Sequence, residues 1–191
     1  MNKHTFLIPL VFVFCLSACV PVALVAAGAT VGGAIVYDKR GVKNIAQDRN
    51  TGSQALKKIS DDPQLQSQTH ITIATFNNIM LLAGQAKTDE LRTRVYQIAS
   101  DIPNLKLIYN EISIETPTTQ SVQTHDAWIT TKVKSAMLAE KGLNSTQIKV
   151  ITENSVVYLM GIVTHKQADL AASVASTVSS VAKVIRIFEY E

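Results

Sequence analysis

The chain repeats one pattern of hydrophobic and polar positions. Residues 70–84 read HITIATFNNIMLLAG and residues 147–161 read QIKVITENSVVYLMG. The two segments superpose without a gap when residue 84 is placed on residue 161, a shift of 77 positions, and most positions keep their apolar or polar character. Such a period is longer than the roughly 20 to 50 residues of solenoid repeats. The pattern therefore predicts two small domains with the same fold.

A predicted amphipathic helix opens the second copy. Its apolar residues recur at the helical spacing i, i+4, i+7 and i+8, at Ile129, Val133, Ala136 and Met137. Asp126 has the chemistry of an N-cap, and Gly142 is placed to end the helix.

Two strands are predicted next. Ile148 and Val150 alternate with polar neighbours, whereas residues 156–160 are apolar throughout. Asn154 and Ser155 lie between them and supply a two-residue turn, because asparagine tolerates the positive φ of a tight hairpin.

The remaining elements complete one order in both copies. Thr164 caps an alanine-rich helix that runs to about residue 180, and residues 183–190 return to a strand. In the first copy the turn is Asn77-Asn78, the second helix is capped by Thr88, and the last strand covers residues 106–114. The order helix, strand, strand, helix, strand predicts an α+β domain in which a three-stranded mixed sheet packs against two helices. The second helix crosses the sheet, so the last strand lies parallel to the second.

The N-terminal residues predict export and a lipid anchor. Lys3 precedes an apolar run over residues 6–16, which is too short to span a membrane and is typical of a secretory signal. The following Leu16-Ser17-Ala18-Cys19 resembles a bacterial lipobox, which implies that Cys19 becomes the lipidated first residue. The alternative is an ordinary signal with an incidental cysteine. Val20 follows Cys19, and in the sorting pattern of bacterial lipoproteins this residue favours the outer membrane.

These signals divide the chain into five predicted segments. They are a lipoprotein signal peptide (1–18), a lipidated N-terminus with an Ala/Gly/Val-rich tether (19–43), a first domain (44–115), a linker (116–124) and a second domain (125–191). The apolar residues 20–36 leave two possibilities open: a flexible tether, or a segment that lies against the bilayer.

Charge and cysteine content exclude several classes of function. Cleavage after residue 18 removes Lys3 and Cys15, so the net charge falls from +3 to +2 and Cys19 is the last cysteine. A chain this close to neutral has no overall electrostatic field that would attract nucleic acid. Disulfides, zinc thiolates and cysteine nucleophiles are excluded as well. The histidines lack ligand spacing, and no glycine-rich loop follows a strand, so we expect no enzyme, metal, cofactor or small-molecule substrate.

Several short motifs resemble the BON domain, a periplasmic module of about 70 residues. They are the apolar-x-Gly segments that end at Gly84 and Gly161, and the closing segment 105–112. Residues 126–134 and 152–154 are similar to those of outer-membrane lipoproteins that carry two BON domains. The resemblance implies a lipid-anchored protein that faces the periplasm, recognises anionic phospholipids through the first helix of the second domain and supports outer-membrane integrity. The first domain has Thr51 at the place of Trp128, so we do not expect it to bind lipid.

A second stripe on this helix favours the same function. At about 100° per residue, the side opposite the apolar stripe carries Trp128, Thr131, Ser135 and Leu138. Lys132 lies next to Trp128, and Lys134 lies towards Leu138. An indole is stable at the headgroup level, and each neighbouring lysine contributes about 1 kcal/mol near an anionic surface. We therefore predict that these six residues contact phospholipid.

Two alternatives remain open. Trp128 could pack against the other domain, because aromatic residues are also common at protein interfaces. The protein could also be an adaptor that docks onto outer-membrane assembly proteins, with lipid contact incidental.

Overall fold

The computed structural model describes residues 41–191, and its helices and strands form two domains with the predicted order of elements. The predicted signal peptide, Cys19 and the tether up to residue 40 lie outside the described residues. The first domain contains α1 (Val42–Ser60), β1 (Thr69–Phe76), β2 (Ile79–Ala86), α2 (Asp89–Ser100) and β3 (Leu107–Ile114). The second contains α3 (Gln120–Ala139), a 3-10 turn (Ser145–Gln147), β4 (Ile148–Glu153), β5 (Val156–Val163), α4 (His165–Thr177) and β6 (Lys183–Tyr190).

Each domain has one three-stranded mixed sheet. The strand orders are β1-β2-β3 and β4-β5-β6. The central strand pairs antiparallel with the strand before it and parallel with the strand after the second helix. The predicted α+β class and the parallel last strand are confirmed.

The hairpin turns form at the predicted residues. Asn77 and Asn78 have φ values of 50° and 65°, and Asn154 and Ser155 have 48° and 63°. Positive φ at both central residues is the type I′ geometry, whose twist matches that of the flanking strands. The predicted caps are also present: the Thr88 hydroxyl accepts from the Leu91 N–H, and the Thr164 hydroxyl accepts from the Gln167 N–H.

The two sheets pack against each other through the faces that their helices leave uncovered. In β2, Met80 and Leu82 belong to the core beneath the helices, whereas Leu81 and Ala83 belong to a core shared with the second domain. Successive side chains of a strand point to opposite faces, so one strand serves both cores. In the second domain, Tyr158 and Met160 of β5 join the shared core in the same way. The layers therefore run helices, sheet, sheet, helices.

A buried carboxylate crosses this interface. Glu153 of β4 accepts hydrogen bonds from the Thr72 hydroxyl at 2.7 Å and from the Gln85 amide at 2.9 Å, both in the first domain. Burial, with the Glu111 and Glu153 carboxylates nearby, raises the pKa of Tyr158 to about 12. The hydrogen bonds from Thr72 and Gln85 to Glu153 fix the position of one sheet on the other, because a displaced Glu153 would remain buried without partners.

The glycines of the two apolar-x-Gly motifs lie inside their strands. Strands β2 and β5 continue past Gly84 and Gly161 by two residues. A Cβ on Gly84 would come within 2.0 Å of the His70 carbonyl oxygen, and one on Gly161 within 2.7 Å of the Gln147 carbonyl oxygen. The absent side chain lets the neighbouring backbone approach closely in both domains.

Helix α3 begins earlier than the sequence predicted. Its first residue is Gln120, so Asp126 lies inside the helix and does not cap it. Part of the predicted linker is therefore helical. Asp126 does not act as the N-cap because its carboxylate is bonded to the turn between β4 and β5.

Candidate functional site

Helix α3 has one buried face and one exposed face. Ile129, Val133 and Met137 are almost completely buried against the sheet, and Ala136 is partly buried. On the other side, Trp128 is 51% exposed and Leu138 is 73% exposed. Large apolar side chains are thus presented to solvent from a helix whose position is fixed by its opposite face.

The position of α3 is set by Asp126, a residue buried at the sheet. Its two carboxylate oxygens accept hydrogen bonds from the Asn154 N–H at 2.7 Å and the Ser155 N–H at 2.8 Å. The helix is therefore bonded directly to the β4–β5 turn, two residues before Trp128. In the first domain, Asp48 accepts from the N–H groups of the turn residues Asn77 and Asn78, both at 2.8 Å. Sequence reasoning missed this role, although each aspartate precedes its turn by a nearly equal number of residues.

Lys132 is held across the face of Trp128. Its Nζ lies 3.4 Å from the centroid of the indole ring. The same ammonium donates to the Ser179 carbonyl oxygen at 2.6 Å and to the Ser179 hydroxyl at 2.9 Å. The side chain thus connects α3 to the loop after α4. A cation stacked on an indole and fixed by two hydrogen bonds gives the Trp128 ring a defined orientation.

The other predicted residues continue this surface towards the end of α3. Thr131, Lys134 and Ser135 are exposed, and the Thr131 hydroxyl donates to the Ala127 carbonyl oxygen at 3.0 Å within the helix. Lys134 and Leu138 border a shallow pocket of about 270 Å³ that is floored by Met137 and the edge of β4. We name the six predicted residues the α3 outer surface: Trp128, Thr131, Lys132, Lys134, Ser135 and Leu138.

The exposure of Trp128 disagrees with the alternative in which it packs between the domains. The shared core consists of strand residues from the two sheets, and Trp128 is not among them. The His125 ring lies beside the indole, with 5.5 Å between centroids, on the same helix.

The first helix of the first domain has no aromatic residue at the place of Trp128. The buried positions Asp48, Thr51, Ala55 and Ile59 of α1 match those of α3 at a shift of 78 and not 77: Asp126, Ile129, Val133 and Met137. Thr51 therefore corresponds to Ile129, and our placement of Thr51 at the position of Trp128 was wrong. Asn50 takes that position and Ser60 takes that of Leu138. The shift of 77 that aligns the strands does not align the helices, because the first domain has one more residue between its first helix and its hairpin turn.

Two other features of the described residues bear on function. None of the helices within residues 41–191 has the length and apolarity required to cross a membrane. No group of three or more His, Cys, Asp or Glu side chains in the same range is arranged to hold a metal ion.

The repeated domain and the chain as a whole are similar to known proteins. A family model for the BON domain matches residues 47–116 and 125–191. The outer membrane lipoprotein DolP of Haemophilus influenzae is 30% identical over 169 residues, which cover 88% of each chain. The 21 kDa hemolysin of Actinobacillus pleuropneumoniae is 35% identical over 153 residues, which cover 80% of this chain and 79% of that one.

A solved structure that aligns with the chain is CdsD, a structural protein of the type III secretion system of Chlamydia trachomatis. The identity is 14% and the TM-score is 0.29, with 75% of this chain and 63% of that chain covered.

Proposed function

Because this chain belongs to the BON-domain family, we propose that it is a lipid-anchored protein of the outer membrane that faces the periplasm and binds anionic phospholipids through the α3 outer surface. Cys19 is the proposed anchor residue. A relative of nearly equal length is an outer membrane lipoprotein, which supports the location. The proposed role is a binding role in maintaining the outer membrane, without catalysis.

The observation that supports lipid binding is the exposed Trp128 with Lys132 fixed over its ring. An indole is favoured at the headgroup level of a bilayer, where its apolar ring and N–H group are both accommodated. A lysine near an anionic surface contributes about 1 kcal/mol. Leu138 lies ten residues further along the helix, which is about 15 Å at 1.5 Å per residue. Two apolar side chains at this separation allow α3 to lie along the bilayer surface.

The burial of the opposite face makes this surface ready to bind. Ile129, Val133 and Met137 hold α3 on the sheet, and Asp126 holds its N-terminal half at the hairpin turn. Little conformational entropy is then lost when the helix meets a membrane.

Vesicle binding by single variants tests the proposal. A fragment of residues 41–191, which holds both described domains, is mixed with vesicles of phosphatidylglycerol or of phosphatidylcholine, and the bound fraction is measured by co-sedimentation. We expect binding to phosphatidylglycerol alone, which Trp128→Glu abolishes and Lys132→Glu weakens. Added salt should weaken binding without removing it, because salt screens the lysine contribution and leaves the apolar one.

Tyr96→Glu is the matched control, because Tyr96 is also an exposed aromatic residue of a helix, with 42% of its surface exposed. This variant should bind as the parent does. Thermal melts accompany each measurement, and Trp128→Glu should change stability by no more than about 0.5 kcal/mol, as is usual for surface positions. Undiminished vesicle binding by Trp128→Glu, or equal binding to both lipids, would contradict the proposal.

A further inference from the structure

The orientation of Trp128 depends on a contact that begins outside the α3 outer surface, at Ser179. Side chains of a helix lean towards its N-terminus, so Lys132, four residues after Trp128, leans back over the indole. Its Nζ lies 3.4 Å from the ring centroid and donates to the carbonyl and hydroxyl oxygens of Ser179, at 2.6 and 2.9 Å. An ammonium has three N–H groups. Two acceptors on Ser179 and the face of the ring therefore engage all three.

Ser179 lies in the turn between α4 and β6. The Val181 N–H donates to the Val178 carbonyl oxygen at 3.2 Å, which closes a four-residue turn. Ser180 has a φ of 74°, as the second central residue of a type II turn requires. The bond that closes such a turn does not use the carbonyl of the first central residue. The Ser179 carbonyl is therefore left to accept a hydrogen bond from another element, and α3 supplies the donor.

The first domain builds the corresponding turn without a serine. The last strands of the two domains correspond at a shift of 76, because residues 107 and 183 pair with the first residues of the two central strands. Asn104, with a φ of 68°, therefore corresponds to Ser180, and Pro103 corresponds to Ser179. Proline followed by asparagine favours a type II turn, whereas serine at a positive φ is uncommon. The turn itself does not require a hydroxyl at position 179.

The other two members of the contact also differ in the first domain. At the shift of 78 between the first helices, Trp128 corresponds to Asn50 and Lys132 corresponds to Gln54. The first domain thus has no indole, no cation and no hydroxyl at these three places, and α1 packs on its sheet all the same. The fold does not need the contact, which occurs in the domain that carries an exposed indole.

We infer that Ser179 is a positioning residue of the lipid-binding surface, which acts on Trp128 through Lys132. The inference rests on the lipid binding proposed above and adds the turn after α4 to that site. By fixing the ammonium, Ser179 fixes the plane of the indole before the protein meets a membrane, so less rotamer freedom is lost on binding. Lys132 then has two effects, one through its charge and one through the orientation of the ring. The second effect depends on Ser179.

Fluorescence anisotropy decay tests the orientation of the ring without anionic lipid. Trp128 is the one tryptophan of the chain, so all tryptophan emission reports on it. The full-length chain is held in micelles of a zwitterionic detergent, and the parent should decay by slow tumbling. Lys132→Met keeps the apolar stem and removes the ammonium, so it should add a decay within about a nanosecond, the timescale of exposed rotamers. Ser179→Ala should show this decay at a smaller amplitude, because its carbonyl bond remains.

Phosphatidylglycerol added to the micelles then measures affinity, through the shift of tryptophan emission to shorter wavelength. Lys134→Met is the matched control for Lys132→Met, because it removes the same charge from the same helix. It should weaken binding about fivefold, the usual contribution of one lysine, and Lys132→Met should weaken it about twentyfold. Ser179→Ala changes no charge and should weaken binding about threefold. Ser179→Thr, which keeps the hydroxyl, and Ser180→Ala at the neighbouring exposed serine should bind as the parent does.

Two results would overturn the inference. One is an indole as restricted in Lys132→Met as in the parent, because a neighbour such as the His125 ring, 5.5 Å away, would then hold it. The other is an equal loss of affinity in Lys132→Met and Lys134→Met, because Lys132 would then act by charge alone. Should Lys132→Met fail to fold in a thermal melt, the comparison of Ser179→Ala with Ser180→Ala decides.

The two measurements separate this inference from the lipid-binding function. A parent chain that does not respond to phosphatidylglycerol would refute the function. The anisotropy decay, which needs no anionic lipid, would still decide whether Ser179 orients the ring.

Discussion

Removal of the Asp126 carboxylate should destabilise the protein far more than removal of an exposed one. In Asp126→Ala the N–H groups of Asn154 and Ser155 lose acceptors at 2.7 and 2.8 Å. Asp126 is only 4% exposed, so water has little room to replace its oxygens. A hydrogen bond to a charged group contributes about 1.5–3 kcal/mol. The turn is partly open to solvent, so the lower value applies to each bond and the expected loss is about 3 kcal/mol.

A thermal melt followed by circular dichroism measures this loss. For a protein of this size, 1 kcal/mol shifts the melting temperature by about 2–4 °C, so Asp126→Ala should melt about 6–12 °C lower. Asp126→Asn retains one acceptor oxygen and should lose about half as much. Asp48→Ala tests the same bracing in the first domain and should behave as Asp126→Ala does.

The control is Asp169→Ala. The Asp169 side chain is 72% exposed and pairs with Arg186, and exposed pairs contribute at most about 1 kcal/mol. If Asp126→Ala and Asp169→Ala melt within about one degree of each other, the hydrogen bonds to the turn do not hold α3 in place and the reasoning is wrong.

Three further predictions address the strands, the interface and the anchor. Gly84 has a φ of 123° and a more crowded site than Gly161, so Gly84→Ala should cost about 3 kcal/mol or more in urea unfolding, against about 1–2 kcal/mol for Gly161→Ala. The raised pKa of Tyr158, about 12 against an ordinary 10.0, should make the free energy of unfolding fall as pH rises from 10 to about 12, because the unfolded chain loses the phenolic proton first. Absorbance of phenolate should show one tyrosine that titrates late, and simultaneous titration of all tyrosines would contradict this. Cys19→Ala should release the protein from membranes and abolish incorporation of labelled palmitate, whereas equal labelling of this variant would exclude Cys19 as the acceptor.

Local patterns in the sequence predicted most of the fold. The turns at Asn77 and Asn154 were identified because positive φ restricts the choice of residue. The caps Thr88 and Thr164 were identified because their partners lie three residues along the chain. The exposed stripe of α3 was identified because helical periodicity alone separates Trp128 from Ile129.

What the sequence did not predict depends on contacts between distant residues. Asp126 has the local appearance of a cap, yet its carboxylate bonds to a turn 28 residues later, and nothing near it in sequence marks that partner. The residue of α1 that corresponds to Trp128 was misjudged because the strands of the two domains align at a shift of 77 positions and their first helices at a shift of 78. Gly52 lies inside α1 because the Thr75 hydroxyl of β1 comes within 3.2 Å of the place of its Cβ, and the sequence does not show which strand lies beside the helix.

The packing of the two sheets also governs how the copies could diverge. Each sheet is covered on one side by its own helices and on the other by the second sheet, so both copies share the constraint of one interface. The outward sides of α1 and α3 take no part in it. A substitution there affects its own domain, and the partner domain does not have to change with it. A duplicated domain arranged in this way can keep its common centre while the two outer helices acquire different surfaces, as Trp128 of α3 and its exposed counterpart Asn50 of α1 illustrate.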